Sequence, residues 1–390
     1  MVAGFNLLRT PRIYFGWRQS EKVLGLIGRY GKRVLLVTGA TSYTRNQGIT
    51  EIISSLEKAG RIVHHARIES EPSPDDIDTT AEACRGKDPD LVLSIGGGSV
   101  IDAGKALSAM MPIPDSIRDY LEGVGTKKHT GEKKFFVAIP TTSGTGSETT
   151  ANAVISFTGK NGFKRSLRHE NLVPDMAIVD PQLTVSCSPQ ITGASGMDAF
   201  TQLVESYLSV KANAMTDALA LEGISQIHKN LLNAVLHGDD AEARTGMSLA
   251  ALLSGITLAN AGLGLIHGFA SSIGGLHDIP HGTVCGTLMG VVNRYQVSAL
   301  LKLPEATPAH DKYEKLGRLF SGAEGKSPGW YMEYAVEYIE TLTGQLNLKR
   351  LSEFGIQGND LMAIAEITDH KSNPVHFEKE QLVGMMKERL

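Results

Sequence analysis

Along the first half of the chain, short unbroken apolar runs alternate with segments whose apolar positions recur at helical spacing. Arg33-Val-Leu-Leu-Val-Thr38 is a continuous apolar run, the pattern of a strand covered on both faces. The spacing in Gly48 to Ala59 (GITEIISSLEKA) predicts a helix, with Gly60 as its stop and Arg61-Ile-Val-His-His-Ala66 as the next strand. Thr79 to Arg85 reads as a helix. Asp90-Leu-Val-Leu-Ser-Ile95 is a third strand, running straight into Gly96-Gly97-Gly98. Phe135-Phe-Val-Ala-Ile139 is a fourth, ended by Pro140. Strands separated by helices predict βαβ units and a mostly parallel, Rossmann-like sheet. The character changes after Val179-Asp180-Pro181, and from about Ser188 onward the pattern is helical throughout. The expected architecture is an α/β domain over residues 1–182 followed by an all-α domain over 183–390, meeting in a cleft. No internal repeat or low-complexity linker interrupts it.

Charge sharpens one ambiguity in this pattern. Thr245 to His277 contains no charged residue and is long enough to span a bilayer. It also holds seven glycines, Asn260 and His267, a composition that suits tightly packed helices inside a protein core. The buried reading is preferred. Over the whole chain 38 basic residues face 42 acidic ones, a formal charge of −4, which argues against a nucleic-acid partner. Cys84, Cys187 and Cys285 are too few and too scattered for a disulfide framework, so a reducing, cytoplasmic setting is expected. The N-terminal stretch lacks an apolar core behind a basic start and does not read as a signal peptide.

Two strand ends carry candidate binding chemistry. In Gly96-Gly97-Gly98-Ser99-Val-Ile-Asp102 a strand turns into a helix, so backbone N–H groups of the first helical turn can meet a phosphate. Ser99 could cap that helix or donate to a phosphate oxygen. A turn needing glycine for steric reasons alone would look the same, and neither standard nucleotide fingerprint is matched. Pro140-Thr141-Thr142-Ser143-Gly144-Thr145-Gly146-Ser147-Glu148 is rich in hydroxyls at the carboxyl end of a strand, where parallel sheets form their ligand crevice. A flexible linker is the bland alternative.

A metal constellation is spread further along the chain. Asp198 and Gln202 are four apart, on one helix face. His267 and His281 are separated by Gly274, Gly275 and Pro280, so one continuous helix between them is not expected. The expected picture has His267 late on the long apolar helix and His281 opening the next. A carboxylate, an amide oxygen and two imidazoles suit Fe²⁺ or Zn²⁺. Each residue also has an ordinary structural reading. His64, His65 and Cys84 have no partner at ligand spacing and read as structural.

These segments resemble the iron-containing (group III) alcohol dehydrogenase family, with its dehydroquinate-synthase-like fold. The resemblance rests on Gly96 to Lys105, Pro140 to Glu148, Val179 to Thr184, Gly196-Met-Asp198, His267-Gly, Pro280-His281-Gly282 and Asn373-Pro374, in family order. It implies hydride transfer between NAD(P) and an alcohol or aldehyde, with a divalent metal (Fe²⁺ or Zn²⁺) polarising the substrate oxygen. It places Gly97, Gly98, Ser99 and Asp102 at the pyrophosphate, and Thr141, Thr142 and Thr145 on the nucleotide. Asn152 and Lys164 match further cofactor-side positions, and Asp198, His267 and His281 match metal ligands. A homodimer or larger homo-oligomer is also what the resemblance suggests.

Three positions depart from the family pattern. The usual histidine four residues after Asp198 is Gln202, a further histidine usually facing substrate is Ser271, and His277 is an extra imidazole. His277 could replace a lost ligand or act on substrate, but a surface or loop position is the preferred reading. Gly39, at the end of the second apolar strand segment, offers no carboxylate to a ribose 2′-hydroxyl, so NADP is permitted beside NAD, and Arg45 could reach a 2′-phosphate. Lys371 and His376 would suit an anionic substrate or, equally, stand on the surface. The alternatives are a metal-free, maleylacetate-reductase-like enzyme of the same fold, or a non-catalytic nucleotide-binding protein.

Overall fold

Each apolar run named above is a strand in the computed structural model, which describes residues 4–40, 42–159 and 162–390. In chain order the strands are β1 (Arg12–Phe15), β2 (Arg33–Gly39), β3 (Ile62–Ile68), β4 (Leu91–Gly96), β5 (Phe135–Pro140), β6 (Asn152–Phe157), β7 (Phe163–Arg168) and β8 (Met176–Val179). Six of them form one sheet in the order β1-β8-β5-β4-β2-β3, and every pairing in it is parallel. β4 and β5 run Leu91↔Phe135 to Gly96↔Pro140, so both glycine- and hydroxyl-rich strand ends finish level. β4 and β8 are wholly buried, as unbroken apolar runs require. β6 and β7 form a separate antiparallel hairpin.

Helices α1 (Val23–Ile27), α2 (Ser42–Arg45), α3 (Gln47–Lys58), α4 (Pro74–Arg85) and α5 (Gly98–Met110) cross between strands. α3 matches the expected helix to one residue at each end. α4 begins earlier than expected, because Ser73 and Asp76 make a reciprocal capping box ahead of Pro74. β3 follows β2 on one side, whereas β4 returns to the other side of β2. Such a reversal opens a crevice at the carboxyl ends of the two strands.

From Pro189 onward the described residues form helices: α6 (Pro189–Leu208), α7 (Ala214–Leu236), α8 (Ala241–Ala261), α9 (Leu265–Leu276), α10 (His281–Leu300), α11 (Pro308–Ser321), α12 (Pro328–Gln345), α13 (Leu361–Ile367) and α14 (Lys379–Lys387). Their apolar faces share one core, which includes Phe200, Leu203, Phe269, Leu288 and Tyr313. The charge-free stretch is not one helix. α8 ends at Gly262, which takes φ +74°, and α9 leaves at 97° after its N-cap Gly264. His267 therefore stands in the first turn of a new helix rather than late on a long one. Two glycines two residues apart permit the break. No single described helix is long and apolar enough to cross a membrane. The bent α8–α9 pair has the length and composition, but most of its side chains are buried in the core.

The α/β and helical parts touch through backbone. Gly146, at φ +62°, lies against Gly255 of α8, where a β-carbon would come within 2.1 Å of the Gly146 carbonyl oxygen. A β-carbon on Gly144 would fall 2.8 Å from Ser195 Cβ of α6. The loop after β5 is thereby pinned on two helices of the other part.

Candidate active site

The chain leaves β4 through Gly96 and enters α5 at Gly98, with Gly97 as an extended N-cap that offers no side chain. Ser99 is the second helical residue and does not cap the helix. The Gly98 and Ser99 N–H groups have no partner within the helix by geometry, while Val100 donates to the Gly97 carbonyl at 3.0 Å. A β-carbon on Gly98 would fall 2.5 Å from the Thr145 methyl, and one on Gly97 would meet Thr142 at 3.4 Å. Glycine at 98 thus lets the two strand-end loops close on each other. Thr141 extends the ladder by donating its N–H to the Gly96 carbonyl at 2.9 Å.

One turn into α5, Asp102 accepts the Val154 N–H at 3.1 Å through Oδ2, while Oδ1 is buried without a hydrogen bond, 3.9 Å from Lys105 Nζ. Lys105 is fully buried. Its ammonium donates to the Ser147 carbonyl (2.8 Å), Thr150 Oγ1 (2.8 Å) and the Asn152 carbonyl (2.7 Å), which ties the hydroxyl-rich loop and β6 to α5. Burial drives Lys105 down to about 8, and pushes Glu148 up to about 7. Burial likewise raises Asp102. The Asp102/Lys105 spacing of three on a helix is the signal from which this buried pair could have been read.

Across the cleft, Asp198, Gln202 and Glu205 lie along one face of α6, at spacings of four and three. His267 Nε2 stands 3.5 Å from Asp198 Oδ1, and His281 Nε2, on the first residue of α10, stands 3.7 Å from the same oxygen. Cys285, one turn further along α10, puts its sulfur 3.7 Å from His267 Nε2 and 3.8 Å from His281 Nε2. One ligand atom from each of these four residues lies within 4.8 Å of all the others. Asp198 Oδ1 and His281 Nδ1 are buried without hydrogen bonds. Gln202 lies in the same wall, and its Oε1 accepts a hydrogen bond from Ser254 Oγ at 2.7 Å.

Glu205 holds His267 from behind. Its Oε2 pairs with His267 Nδ1 at 2.6 Å, and its Oε1 accepts the Ile266 N–H at 2.6 Å. The ring is thereby oriented with Nε2 toward Asp198, the arrangement that carboxylates give metal-ligating histidines. Burial works against charge on His267, yet Cys285, Glu205 and Asp198 around it raise its pKa well above the ordinary value, the mark of a position that attracts positive charge. Burial and the Lys164 ammonium drive His281 down to about 3, leaving it neutral. Burial pushes the Cys285 thiol up to about 11. An orphaned buried carboxylate oxygen among imidazoles and a thiol fits a divalent cation. The sequence reading gives Glu205 and Cys285 no part in the site. Only the spacing of Glu205 from Asp198, and of Cys285 from His281, hinted at them.

Both sets face one cavity of about 670 Å³. Gly98, Ser99, Asp102, Thr145, Asn152 and Lys164 line one side, and Gln202, His267 and His281 line the other. Lys164 is paired with Glu71, which also accepts from Ser156 Oγ at 2.6 Å. Asn152 donates to Ser166 Oγ at 3.1 Å. Ser271 and Lys371 are in the wall as well, Lys371 Nζ reaching Ser271 Oγ at 3.4 Å. Gly97, Thr141 and Thr142 support the strand-end loops from behind this wall. Gly39 ends β2 outside it, with Thr41 beyond the described residues. His277 caps the end of α9, donates its N–H to the Ile273 carbonyl, and is not brought to the other imidazoles. His376 stacks on His370 at 4.7 Å, away from the cavity wall.

Two family models account for nearly all of the chain: iron-containing alcohol dehydrogenase over residues 10–181, and the C-terminal domain of the Fe-containing alcohol dehydrogenase family over residues 192–390. Alcohol dehydrogenase 4 of Saccharomyces cerevisiae is 34% identical over 396 residues, covering 99% of this chain and 98% of its own length. The NADPH-dependent butanol dehydrogenase of Clostridium saccharobutylicum is 30% identical over 387 residues, with 95% of each chain covered. An archaeal halo-thermophilic alcohol dehydrogenase from a Red Sea brine pool superposes with a TM-score of 0.90 at 26% identity, covering 100% of this chain and 99% of its own.

Proposed function

The chain belongs to the iron-containing alcohol dehydrogenase family, and from that premise we propose the part each residue plays in an NAD(P)-dependent, metal-containing alcohol dehydrogenase. Residues 1–182 form the nucleotide-binding domain and 183–390 the domain that holds metal and substrate. The observation that carries this reading is the single cavity with the α5 N-terminus on one wall and His267 and His281 on the other. The cofactor supplies or accepts the hydride, and the divalent metal supplies Lewis acidity toward the substrate oxygen.

The residues do the rest. First-turn N–H groups of α5, with the Ser99 and Thr145 hydroxyls, bind the diphosphate. Gly97, Thr141 and Thr142 set the shape of that loop pair. Asp102 and Lys105 lock α5 to β6, so Asn152 and Lys164 present a fixed edge to the nicotinamide side. Asp198, His267 and His281 would hold the metal, with Glu205 orienting His267. Ser271 and Lys371 face the substrate in the remaining wall. With no carboxylate at Gly39, the 2′-position of the adenosine ribose is unguarded and NADP is accepted beside NAD. The substrate is a small alcohol or aldehyde. The protein works in the cytoplasm as a homo-oligomer, without a nucleic-acid or membrane partner.

The test is a pair of variants assayed with a panel of alcohols and aldehydes under both cofactors. His267→Ala and His281→Ala each reduce kcat by at least about a thousandfold, the scale of losing charge stabilisation at the reacting oxygen. Circular dichroism and cofactor affinity stay unchanged. Near-normal turnover in both variants overturns the assignment.

A further inference from the structure

We propose that Cys285, and not Gln202, supplies the fourth protein ligand, so that the metal site is an Asp198/His267/His281/Cys285 set suited to Zn²⁺. The proposal rests on the reading of Asp198, His267 and His281 as metal ligands given above. It starts from geometry. Tetrahedral coordination at ordinary Zn–N, Zn–O and Zn–S lengths separates ligand atoms from one another by about 3.3–3.6 Å. The observed separations are 3.5 Å and 3.7 Å from the two Nε2 atoms to Asp198 Oδ1, and 3.7 Å and 3.8 Å from them to the Cys285 sulfur. Four of the six separations are close to coordination spacing, and one ligand atom from each residue lies within 4.8 Å of all the others.

A second, independent observation points to a ligand. Asp198 is 2% exposed, and its Oδ1, the oxygen facing both imidazoles, has no hydrogen-bond partner. Such an oxygen is costly to bury unless something positive engages it. Gln202 is differently engaged, because its carbonyl oxygen already accepts from Ser254. Cys285 has no exposed surface, whereas His267, His281 and Gln202 reach the cavity. The sulfur thus closes the back of the set and leaves its cavity face open to substrate. When the cation binds, the S–H bond breaks, a metal–sulfur bond forms, and the proton passes to bulk solvent. Thiolate in place of an imidazole or amide shifts preference toward the softer, borderline Zn²⁺ and away from Fe²⁺.

The experiment uses the full-length protein loaded with Co²⁺ as a spectroscopic stand-in, beside Cys285→Ser, Cys285→Ala and Gln202→Ala. Wild type and Gln202→Ala are expected to show a near-ultraviolet thiolate-to-cobalt charge-transfer band, and both cysteine variants to lack it. X-ray absorption of the zinc form should find a sulfur at about 2.3 Å. Metal affinity is expected to fall at least tenfold in Cys285→Ala, and to change less than about twofold in Gln202→Ala. Circular dichroism checks that the variants fold. Bound cobalt with no sulfur band, or affinity lost only in Gln202→Ala, overturns the Cys285 assignment and leaves the three-residue reading standing. No cobalt bound to wild type at all overturns both together.

Discussion

At the scale of single residues, the imidazole proposed as a metal ligand is held by a side chain that does not line the cavity. Glu205 engages His267 through one carboxylate oxygen and the α9 backbone through the other, so it fixes both the ring and the helix end that carries it. Replacing Glu205 by Gln keeps the shape and removes the charge. Metal affinity should fall 10- to 100-fold, the usual cost of losing such a partner, with the fold intact. Equilibrium dialysis against zinc reads this directly, and unchanged affinity would show that packing alone orients the imidazole. Lys105 plays the matching role on the nucleotide side, where its three donors leave no freedom to Ser147, Thr150 or Asn152.

At the scale of elements, the β1 and β8 side of the sheet escaped the sequence pattern, and β2 to β5 did not. β1 is four residues long and exposes Arg12, while β8 is only Met176–Val179. Of the β6–β7 hairpin, β7 carries Lys164, Arg165 and Arg168, so no apolar run marks it. What ties the start of β4 to the start of β2 is Asp90. It accepts the Lys32 and Arg33 N–H groups at 2.8 Å each and pairs with the Arg33 guanidinium at 2.6 Å. Hydrogen bonding from Arg33 holds its carboxyl down at about 2. A depressed carboxylate pKa stabilises the fold above its ordinary value of about 3.9 and is lost as pH falls toward the folded value. Asp90→Ala should therefore cost about 1 kcal/mol at pH 7, the scale of a partly exposed charged pair. Urea unfolding at a series of pH values should show the gap from wild type closing between about pH 4 and pH 2. A gap that persists unchanged at the acid end would assign the effect to packing.

At the scale of the whole molecule, the active site depends on two unlike parts that meet backbone to backbone at Gly146 and Gly255. Gly255 of α8 lies against Gly146, and a β-carbon there would also fall 2.2 Å from Thr149 Oγ1. Neither backbone can retreat, since the loop is anchored by Lys105 and α8 is packed in the helical core. Gly255→Val should cost about 3 kcal/mol, at the upper end of overpacking. It should also weaken cofactor binding by displacing Thr145 and Ser147, while metal content is retained. Thermal unfolding and cofactor titration report the two effects separately. Full cofactor affinity in a destabilised variant would mean that the loop's shape is independent of this contact.

What the sequence by itself determined is what is local. Apolar runs and helical periodicity marked strands β2 to β5, the α/β-then-helical order, and the glycine and hydroxyl clusters at strand ends. Asp198 and Gln202 could be placed on one face because helical spacing is set within a few residues. Gly262 and Gly264 broke the charge-free stretch, and that break was not legible, because glycine alone does not say whether a helix tolerates it or turns on it. Partners came only with the tertiary structure. Glu205 meets His267 across 62 residues and Cys285 meets it across 18, through a 97° bend and a return along α10. A spacing rule sees one helix at a time, whereas a metal site is a property of where several helices cross.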